Sequence, residues 1–455
     1  MILLKTPIIE VSVSLFCVSF AKSNWHFFIT LEYLLKKMYL CTHFKIAFTV
    51  QNKRKIINDP VFGFITIPND FLYDIIQHPI FQRLQRIKQL GLTSFVYPGA
   101  QHTRFQHSLG AMYLTHEAIK QLRQNGHDIT PEEADGVSAA ILLHDIGHGP
   151  FSHALEHTLM EGIPHEQISL RLMQQMNHEM GGQLTTAIRI FQNQYPKRFL
   201  HQLVSSQLDM DRMDYLRRDS FFTGVTEGVV GSARLIKMLD VYDDQLVIAA
   251  KGIHSIENFL IARRFMYWQV YFHKTAVAAE RMLIKILSRA KELSLAGEQL
   301  FATPSLRYFL TQKITSDTFD KEALTLAHFV NLDDSDILSA LKVWASHSDV
   351  VLSTLSRHFI DRKLFKTSQC QSFCASEHDA LLATYMKHFD ITKHEASYFF
   401  ESHTITTSTY DFTDAQILIL GKDGAVKDVT QVSDILDVAL LNHRVEKCYL
   451  CKFPL

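Results

Sequence analysis

The segment LLHDIGHGPFSHALEH, Leu142 to His157, concentrates side chains that can bind metal ions and transfer protons. It contains four histidines and two acidic residues, and His144 and Asp145 are adjacent. His107 and Asp211 lie on other predicted helices and complete a set of two imidazoles and two carboxylates. Nitrogen and oxygen donors without thiolates suit manganese, iron, magnesium or zinc. The sequence therefore predicts one divalent metal site and leaves the identity of the metal open.

Further histidines near this set favour a catalytic role for the metal. Four protein ligands on a six-coordinate metal leave positions for water and a substrate oxygen, and the metal lowers the pKa of that water. His148, His153 and His165 suit proton donation or phosphate binding. A lone histidine on an apolar helix face is more often a hydrogen-bonded core residue. The ordered combination H…HD…D favours a metal site instead.

The helix that presents the HD pair has clear start and stop signals. Thr130 can cap its first turn, Pro131 suits the first helical position, and Glu133 completes a capping box. Gly147 is typical of a helix C-terminus and predicts the end of this helix. The adjacent histidine and aspartate are therefore expected at the inner end of a helix that faces the core.

Two more predicted helices supply the other ligands. The stretch RFQHSLGAMYLTHEAIKQLRQNG carries His107 in line with apolar residues, and Gly126 ends it. The stretch QLVSSQLDMDRMDYLRRD places Asp211, Tyr215 and Asp219 at positions i, i+4 and i+8. One face of the third helix therefore carries two carboxylates and a phenol, which is unusual for a helix that only packs in a core.

Length and pattern predict a mainly α protein. With 455 residues, of which 47% are apolar and 20% charged, the chain has ordinary globular composition. We predict an N-terminal extension over residues 1–52, an all-helical domain with a small β-hairpin over 53–290, and a smaller α/β domain over 291–455. The hairpin is predicted at Leu239–Ala249. The C-terminal tail has the pattern strand, turn, strand, helix, strand.

Charge and cysteine content exclude several classes of function. The net charge of −1 provides no basic field for nucleic acid. The six cysteines form no disulfide framework, and the isolated Cys448-x-x-Cys451 pair favours thiols over a zinc site, so we predict a cytoplasmic location. The apolar run before residue 21 is interrupted by Glu10 and is too short for a membrane span. We expect residues 1–52 to be dispensable, with Met38 or a nearby codon as an alternative start.

Four ordered segments resemble the HD-domain phosphohydrolases, and specifically their deoxynucleoside triphosphate (dNTP) triphosphohydrolase branch. The segments are HTRFQHSLG (His102–Gly110), LLHDIGHGPFSH (Leu142–His153), PHEQIS (Pro164–Ser169) and DMDRMDYLRRD (Asp209–Asp219). The resemblance extends roughly from Lys55 to Lys274. It implies hydrolysis of a dNTP to deoxynucleoside and triphosphate, with metal-activated water attacking the α-phosphorus, in a homo-oligomer such as a dimer or tetramer.

The resemblance also implies roles for individual residues. The metal ligands are His107, His144, Asp145 and Asp211. The catalytic residues are His148, His153 and His165, with Glu156 where relatives often have aspartate. The substrate-binding residues are Arg104, Arg212 and Arg263 for phosphate, Tyr215 and Asp219 for the sugar, Gln89 and Leu90 for the deoxyribose edge, and Tyr271.

The segment KIINDP resembles the family's effector-nucleotide segment. Lys55 and Asn58 are expected to contact the phosphate and sugar of an effector. Gln77 and Gln85 stand where GTP-activated relatives have a guanine-reading aspartate and arginine. We therefore expect a nucleotide effector, if one acts, to be a dNTP such as dATP at least as readily as GTP.

Two other functions are compatible with this sequence. One is an HD phosphodiesterase or nucleotidase that acts on another phosphorylated substrate. The other is a non-catalytic protein that binds nucleotides or single-stranded nucleic acid. The helix face of Tyr215 and Asp219, together with Arg263, favours a triphosphate and a sugar. The complete ligand set argues against a non-catalytic protein, because buried carboxylates are costly without a compensating charge.

Overall fold

The structure is a computed structural model that describes residues 55–156, 158–160, 162–321, 323–370, 374–407, 410, 416–435 and 445–455. These residues belong to one compact unit, Arg54–Leu455. The predicted extension over residues 1–52 lies outside the described residues. Inside helices and strands, the side chains of residues 153, 320, 321, 370, 407 and 445 also lie outside the description.

Helices make up most of the described chain, which confirms the predicted fold class. They are α1 (Asp70–Gln77), α2 (Pro79–Gln82), α3 (Arg104–Gln124), α4 (Pro131–Leu143), α5 (Ser152–Glu156), α6 (His165–Glu179), α7 (Thr185–Phe191), α8 (Arg198–Val204), α9 (Met210–Thr223), α10 (Ser232–Met238), α11 (Ile253–Met266), α12 (Lys274–Leu295), α13 (Pro304–Thr311), α14 (Ser316–Lys321), α15 (Ala323–Val330), α16 (Asp334–Trp344), α17 (Val350–Ile360), α18 (Ala375–Phe389), α19 (Lys393–Ala396) and α20 (Val429–Val432).

Nine short strands form three small sheets among the described residues. The strands are β1 (Ile56–Asp59), β2 (Gly63–Thr66), β3 (Leu239–Tyr242), β4 (Gln245–Ala249), β5 (Lys366–Cys370), β6 (Phe400–Thr407), β7 (Leu418–Leu420), β8 (Val426–Asp428) and β9 (Val445–Lys452). The sheet orders are β1-β2, β3-β4-β7-β8 and β5-β9-β6. The predicted hairpin is β3-β4, and Asp243 and Asp244 in its two-residue turn both have positive φ, as a type I′ turn requires.

Helix α3 packs against both α4 and α9. The three helices that carry or directly precede the predicted metal ligands therefore lie side by side. The predicted capping box of α4 is confirmed, because Thr130 and Glu133 bond each other's backbone amides. Helix α3 ends as predicted, with Gly126 at φ +96° two residues after its last residue. Local sequence signals therefore fix the limits of two of the helices that position the site.

The aromatic stretch after Ile253 is divided among three helical elements. Helix α11 ends at Met266, the segment Tyr267–Tyr271 is a π-helical turn, and α12 begins at Lys274. Such turns often accompany functional sites. Here the turn carries two tyrosines that line the main cavity described below.

The C-terminal tail follows the predicted order of elements but does not form a separate α/β unit. Strand β7 pairs in parallel with β4, whereas β9 pairs with β5 and β6. Two three-residue strands such as β7 and β8 are only marginally stable as an isolated pair, and hydrogen bonds to the edge of the β3-β4 hairpin stabilise them.

Residue 290 lies inside α12, which continues without a break to Leu295. The predicted division into residues 53–290 and 291–455 therefore has no backbone break at this point, and it stays a prediction. In the parts of the chain that the structure describes, no helix combines the length and apolar character needed to cross a membrane.

Candidate active site

The HD pair lies in a turn that packs directly on α6. Helix α4 ends before His144, so the prediction that it continues to Gly147 is wrong. A Cβ atom on Gly147 would lie 2.0 Å from the carbonyl oxygen of His165, which shows that close packing requires glycine here. Ser169 accepts a hydrogen bond from the Gly147 amide at 2.9 Å and donates one to the His144 carbonyl at 2.7 Å. Helix α6 therefore holds the turn that carries His144 and Asp145.

The four predicted metal ligands come together at one point. Asp211 Oδ1 lies 3.0 Å from His107 Nε2 and 3.3 Å from His144 Nε2, and the two nitrogens are 3.4 Å apart. Asp145 completes the set, with oxygens 3.7 Å from His107 Nε2 and 3.3 Å from His144 Nε2. Two donor atoms that each bind a metal at about 2.1 Å are separated by about 3.0–3.4 Å. The separations among His107, His144 and Asp211 fit a shared divalent ion, and Asp145 lies at the edge of this group.

Hydrogen bonds at the other ring nitrogens orient both imidazoles toward this point. His107 Nδ1 bonds Asp214 Oδ2 at 2.8 Å, and His144 Nδ1 bonds the Ile141 carbonyl at 2.6 Å. Each ring therefore presents Nε2 to the metal position, as is usual for metal-binding histidines. Burial lowers the pKa of His107, but hydrogen bonds to Asp211 and Asp214 outweigh burial and raise that pKa to about 10. The surrounding carboxylates thus favour positive charge at this point.

Buried charged side chains link the candidate metal ligand His107 to β1 by hydrogen bonds. Arg218 donates from Nε and Nη2 to the two oxygens of Asp214 at 2.9 and 3.0 Å. Its Nη1 donates to Asp59 Oδ2, at the end of β1, at 2.7 Å. All four side chains are buried. Sequence analysis missed these supporting residues, although the i, i+4 spacing of Asp214 and Arg218 was a readable signal for their ion pair.

We expect Asp214→Asn to weaken metal binding about 10- to 100-fold, because the amide keeps the shape of the carboxylate but loses its charge beside His107. Asp59→Asn, which is two links further from the metal because Arg218 lies between Asp214 and Asp59, should have a smaller effect. Titration with Mn²⁺ in competition with a chelator measures both affinities, and circular dichroism checks the fold. Asp128→Asn is the control, since the Asp128 side chain is 91% exposed. Unchanged Mn²⁺ affinity in a folded Asp214→Asn protein would contradict the proposed supporting role.

A cavity of about 840 Å³ opens beside the metal position. Its volume is in the range typical of small-molecule sites. The predicted site residues that line it are Gln89, Leu90, Arg104, His144, Asp145, His148, His165, Asp211, Arg212, Tyr215, Asp219 and Tyr271. The structure therefore brings residues from six separate stretches of sequence into one cavity.

The predicted catalytic histidines lie beside the metal ligands. His148 Nε2 is 3.3 Å from Asp145 Oδ1, and the His148 ring stacks on the His165 ring at 3.8 Å. His165 Nδ1 lies 3.5 Å from Glu156 Oε1, so these two residues and His148 form a second cluster of titratable groups. Burial and then the charge of Arg104 lower the pKa of His148 to about 3. For His153, which lies in α5, the structure describes the backbone only.

The three predicted phosphate-binding arginines differ in their surroundings. Arg104 lines the cavity and donates to Asp145 Oδ2 at 2.5 Å. Arg212 also lines the cavity, but it forms a short ion pair with Asp209, the N-cap of α9. Arg263 is buried outside the cavity lining, and its Nε and Nη1 atoms have no hydrogen-bond partner among the described residues.

The predicted sugar-binding residues form a hydrogen-bonded group in the cavity wall. Tyr271 donates to Asp219 Oδ2 at 2.7 Å, and His102 Nε2 lies 2.7 Å from Asp219 Oδ1. The Tyr215 and Tyr271 rings meet edge to face at 6.0 Å. Burial raises the pKa values of both tyrosines well above the usual range, so both phenols stay protonated. Sequence analysis did not assign His102, which holds the carboxylate from its other side.

The predicted effector residues lie on the surface, outside the cavity lining. Lys55 is exposed directly before β1, Asn58 is exposed on β1, and Gln77 is exposed at the end of α1. Gln85 is exposed and donates to Gln82 Oε1 at 2.6 Å. Their roles stay predictions.

Arg83 is a supporting residue that sequence analysis missed. Its guanidinium is fully buried and donates to the backbone carbonyls of Ile146, His148 and Leu332 at 3.1, 2.8 and 3.3 Å. The same group lies 4.4 Å above the ring of Phe329. Arg83 therefore fixes the turn that carries the HD pair against a helix from the C-terminal half of the chain. Nothing in the local sequence distinguishes it from a surface arginine.

A C-terminal strand also contributes to the cavity. Residues 403–406 of β6 line it together with residues 276, 277 and 280 of α12. Glu401 at the start of β6 lies 3.8 Å from Arg281 and 3.9 Å from Lys285, which ties the strand to α12. No local pattern predicts the contact between β6 and α12, because it joins segments more than 100 residues apart.

Comparisons with known proteins identify related sequences and folds. The profile of the HD domain matches residues 104–219, and that of the HD associated region matches residues 230–303. The uncharacterized protein YwfO of Bacillus subtilis is 32% identical over 400 residues, which cover 85% of this chain and 89% of that protein. A solved phosphohydrolase from Bacteroides thetaiotaomicron is 59% identical, with a TM-score of 0.86 over 88% of this chain and 100% of that chain.

Two relatives carry a named activity. The deoxynucleoside triphosphate triphosphohydrolase SAMHD1 homolog of Dictyostelium discoideum is 32% identical over 56% of this chain. The SAMHD1 enzyme of Gallus gallus is 31% identical over 52% of this chain. The matched regions span 52% and 45% of these two relatives, about half of their length.

Proposed function

Because this chain belongs to the HD-domain phosphohydrolase family, we propose that it hydrolyses dNTPs to deoxynucleoside and triphosphate with one divalent metal. One observation carries the proposal. His144 and Asp211, which form the ligand cluster together with the buried His107, line the same cavity as the Asp219–Tyr271 pair. A phosphate can therefore reach the metal while a sugar hydroxyl reaches a carboxylate and a phenol. The two relatives named as dNTP triphosphohydrolases support the same substrate class.

The residues of the cavity divide the work of hydrolysis. The four ligands would hold a divalent metal, which would supply polarisation of the phosphate and a water of lowered pKa. Arg104, beside Asp145, is placed to neutralise charge on the α-phosphate. As water attacks the α-phosphorus, the bond to O5′ breaks, and we assign His148 to supply the proton that O5′ takes up. Its pKa of about 3 leaves His148 neutral near pH 7 without substrate, so this role requires that the negative charge of the bound triphosphate raises that pKa. Asp219 keeps acceptor capacity for a sugar hydroxyl, since each carboxylate oxygen has two lone pairs.

Product analysis tests this proposal. Each dNTP is incubated with the protein and Mn²⁺, Fe²⁺, Mg²⁺ or Zn²⁺, and the products are separated by ion-exchange chromatography. Release of triphosphate and deoxynucleoside supports the proposed function. Release of monophosphate or inorganic phosphate would instead indicate the phosphodiesterase or nucleotidase alternative, and binding without turnover would indicate a nucleotide-binding protein.

We propose that a nucleotide effector, where one acts, is a dNTP such as dATP at least as readily as GTP. An aspartate accepts two strong hydrogen bonds from the N1–H and N2–H₂ edge of guanine, whereas Gln77 offers one acceptor and one donor, a pattern closer to adenine. Lys55 and Asn58 are exposed and accessible for phosphate and sugar. Rates on one substrate dNTP, measured while GTP and the other dNTPs are titrated in turn, test this expectation. Strict dependence on GTP would contradict it.

The homo-oligomeric state, dimer or tetramer, and the cytoplasmic location stay part of this proposal. The apolar side chains of Phe221 and Val229 are more than half exposed, which is compatible with a subunit contact.

A further inference from the structure

The cavity contains few positive side chains for a ligand as negative as a triphosphate. Among the described residues that line it, the lysines and arginines are Lys88, Arg104 and Arg212. Arg104 is bonded to Asp145, and Arg212 is bonded to Asp209. Their charges are thus shared with carboxylates of the protein. For Lys88, the described part of the chain contains no carboxylate oxygen within 4.0 Å of the ammonium group.

The backbone places Lys88 next to Arg104. Lys88 forms an antiparallel bridge with Thr103, and the Arg104 amide donates to the Ile87 carbonyl at 3.0 Å. Residues opposite each other in such a bridge lie about 5 Å apart. Lys88 and Arg104, which both line the cavity, therefore lie on adjoining backbone segments.

A second contact fixes the position of Lys88 in the cavity wall. Its amide donates to Asp334 Oδ2 at 3.0 Å, and Asp334 is buried as the first residue of α16. Gln89, the next residue, donates its amide to the His102 carbonyl at 3.0 Å. These two hydrogen bonds fix the backbone at Lys88 and Gln89, so the half-buried side chain of Lys88 extends from a defined position in the cavity wall.

We propose that Lys88 binds the triphosphate chain of the substrate beyond the α-phosphate. The inference rests on the proposed function, because it assumes a triphosphate in this cavity. The Lys88 ammonium has no carboxylate oxygen within ion-pair distance, although its charge interacts with the more distant Asp334 carboxylate. It is therefore more available to phosphate oxygens than the two paired arginines, and a charge-assisted hydrogen bond to phosphate is among the stronger polar contacts in proteins. Lys88 adds to the arginines of the site and contacts neither the sugar nor the base.

Inhibitor binding by charge-neutral and charge-conserving variants tests this role. Lys88→Gln removes the charge, Lys88→Arg keeps it, and Lys120→Gln is a surface control whose side chain is 58% exposed. Calorimetry measures binding of inorganic tripolyphosphate and, separately, of deoxyguanosine to the metal-loaded proteins. We expect Lys88→Gln to weaken tripolyphosphate binding about 10-fold or more and deoxyguanosine binding less than about twofold. Lys88→Arg should recover most of the loss, and the control should match the wild type.

The possible outcomes separate this inference from the proposed function. Equal loss of both ligands in Lys88→Gln, or unchanged tripolyphosphate binding, would overturn the role of Lys88 while wild-type dNTP turnover still stands. A wild-type protein that neither binds tripolyphosphate nor releases it from dNTPs would overturn the proposed function as well. Thermal unfolding of each variant shows whether a loss reflects the fold, and a folded Lys88→Gln protein with selective loss of tripolyphosphate supports the inference.

Discussion

Replacing Asp211 with alanine is expected to abolish both metal binding and turnover. Its Oδ1 atom lies 3.0 Å from His107 Nε2 and 3.3 Å from His144 Nε2, so one oxygen is placed to share a metal with both imidazoles. Loss of the metal removes several kcal/mol of transition-state stabilisation, so kcat should fall by about 1,000-fold or more. The fold should persist, because Asp211 borders the cavity and its side chain is 25% exposed. Metal analysis, turnover and circular dichroism of the same preparation measure the three properties.

Asp128→Ala is the matched control, since it removes a carboxylate whose side chain is 91% exposed. It should retain wild-type metal content and turnover. Normal metal content together with normal activity in Asp211→Ala would show that Asp211 is not a metal ligand.

The second large effect is expected for His148→Gln. We predict a fall in kcat of about 100- to 10,000-fold with metal content retained, because a proton donor is lost while the four ligands remain. His148 is buried, stacks on His165 at 3.8 Å and lies 3.3 Å from Asp145. Glutamine keeps polar atoms near this position but does not titrate. Steady-state kinetics and metal analysis are measured on the same sample.

His178→Gln is the control, because His178 is exposed on α6, the helix that begins with His165. It should behave as wild type. A His148→Gln protein with normal kcat would exclude proton donation by His148, and one that loses its metal would show that His148 supports Asp145 instead.

Residue type and helical spacing were enough to predict which groups meet at the metal position. His107, Asp145 and Asp211 each lie on or next to a helix whose limits have local signals such as the Thr130 capping box. Helical spacing also predicted that Tyr215 would face the same cavity as Asp211. These predictions depend on contacts within one helix or on the order of motifs, which a sequence displays directly.

The supporting residues depend on tertiary packing and could not be predicted in the same way. Arg83 reaches carbonyls 63, 65 and 249 residues away, and Asp59 meets Arg218 across 159 residues. Gly147 appears in sequence as a helix stop but is required by the close approach of the His165 carbonyl. Each of these contacts joins segments that are distant in sequence, and no periodic pattern in the local sequence indicates such a contact.

The atom to which water adds tests most directly the central claim that the protein hydrolyses dNTPs at the α-phosphorus. Hydrolysis of a dNTP in H₂¹⁸O, followed by mass spectrometry of both products, locates the atom that water attacks. Our account predicts triphosphate with one ¹⁸O and deoxynucleoside with none, because water adds to the α-phosphorus and the bond to O5′ breaks. Label in the deoxynucleoside, or products cleaved between the phosphates, would contradict it.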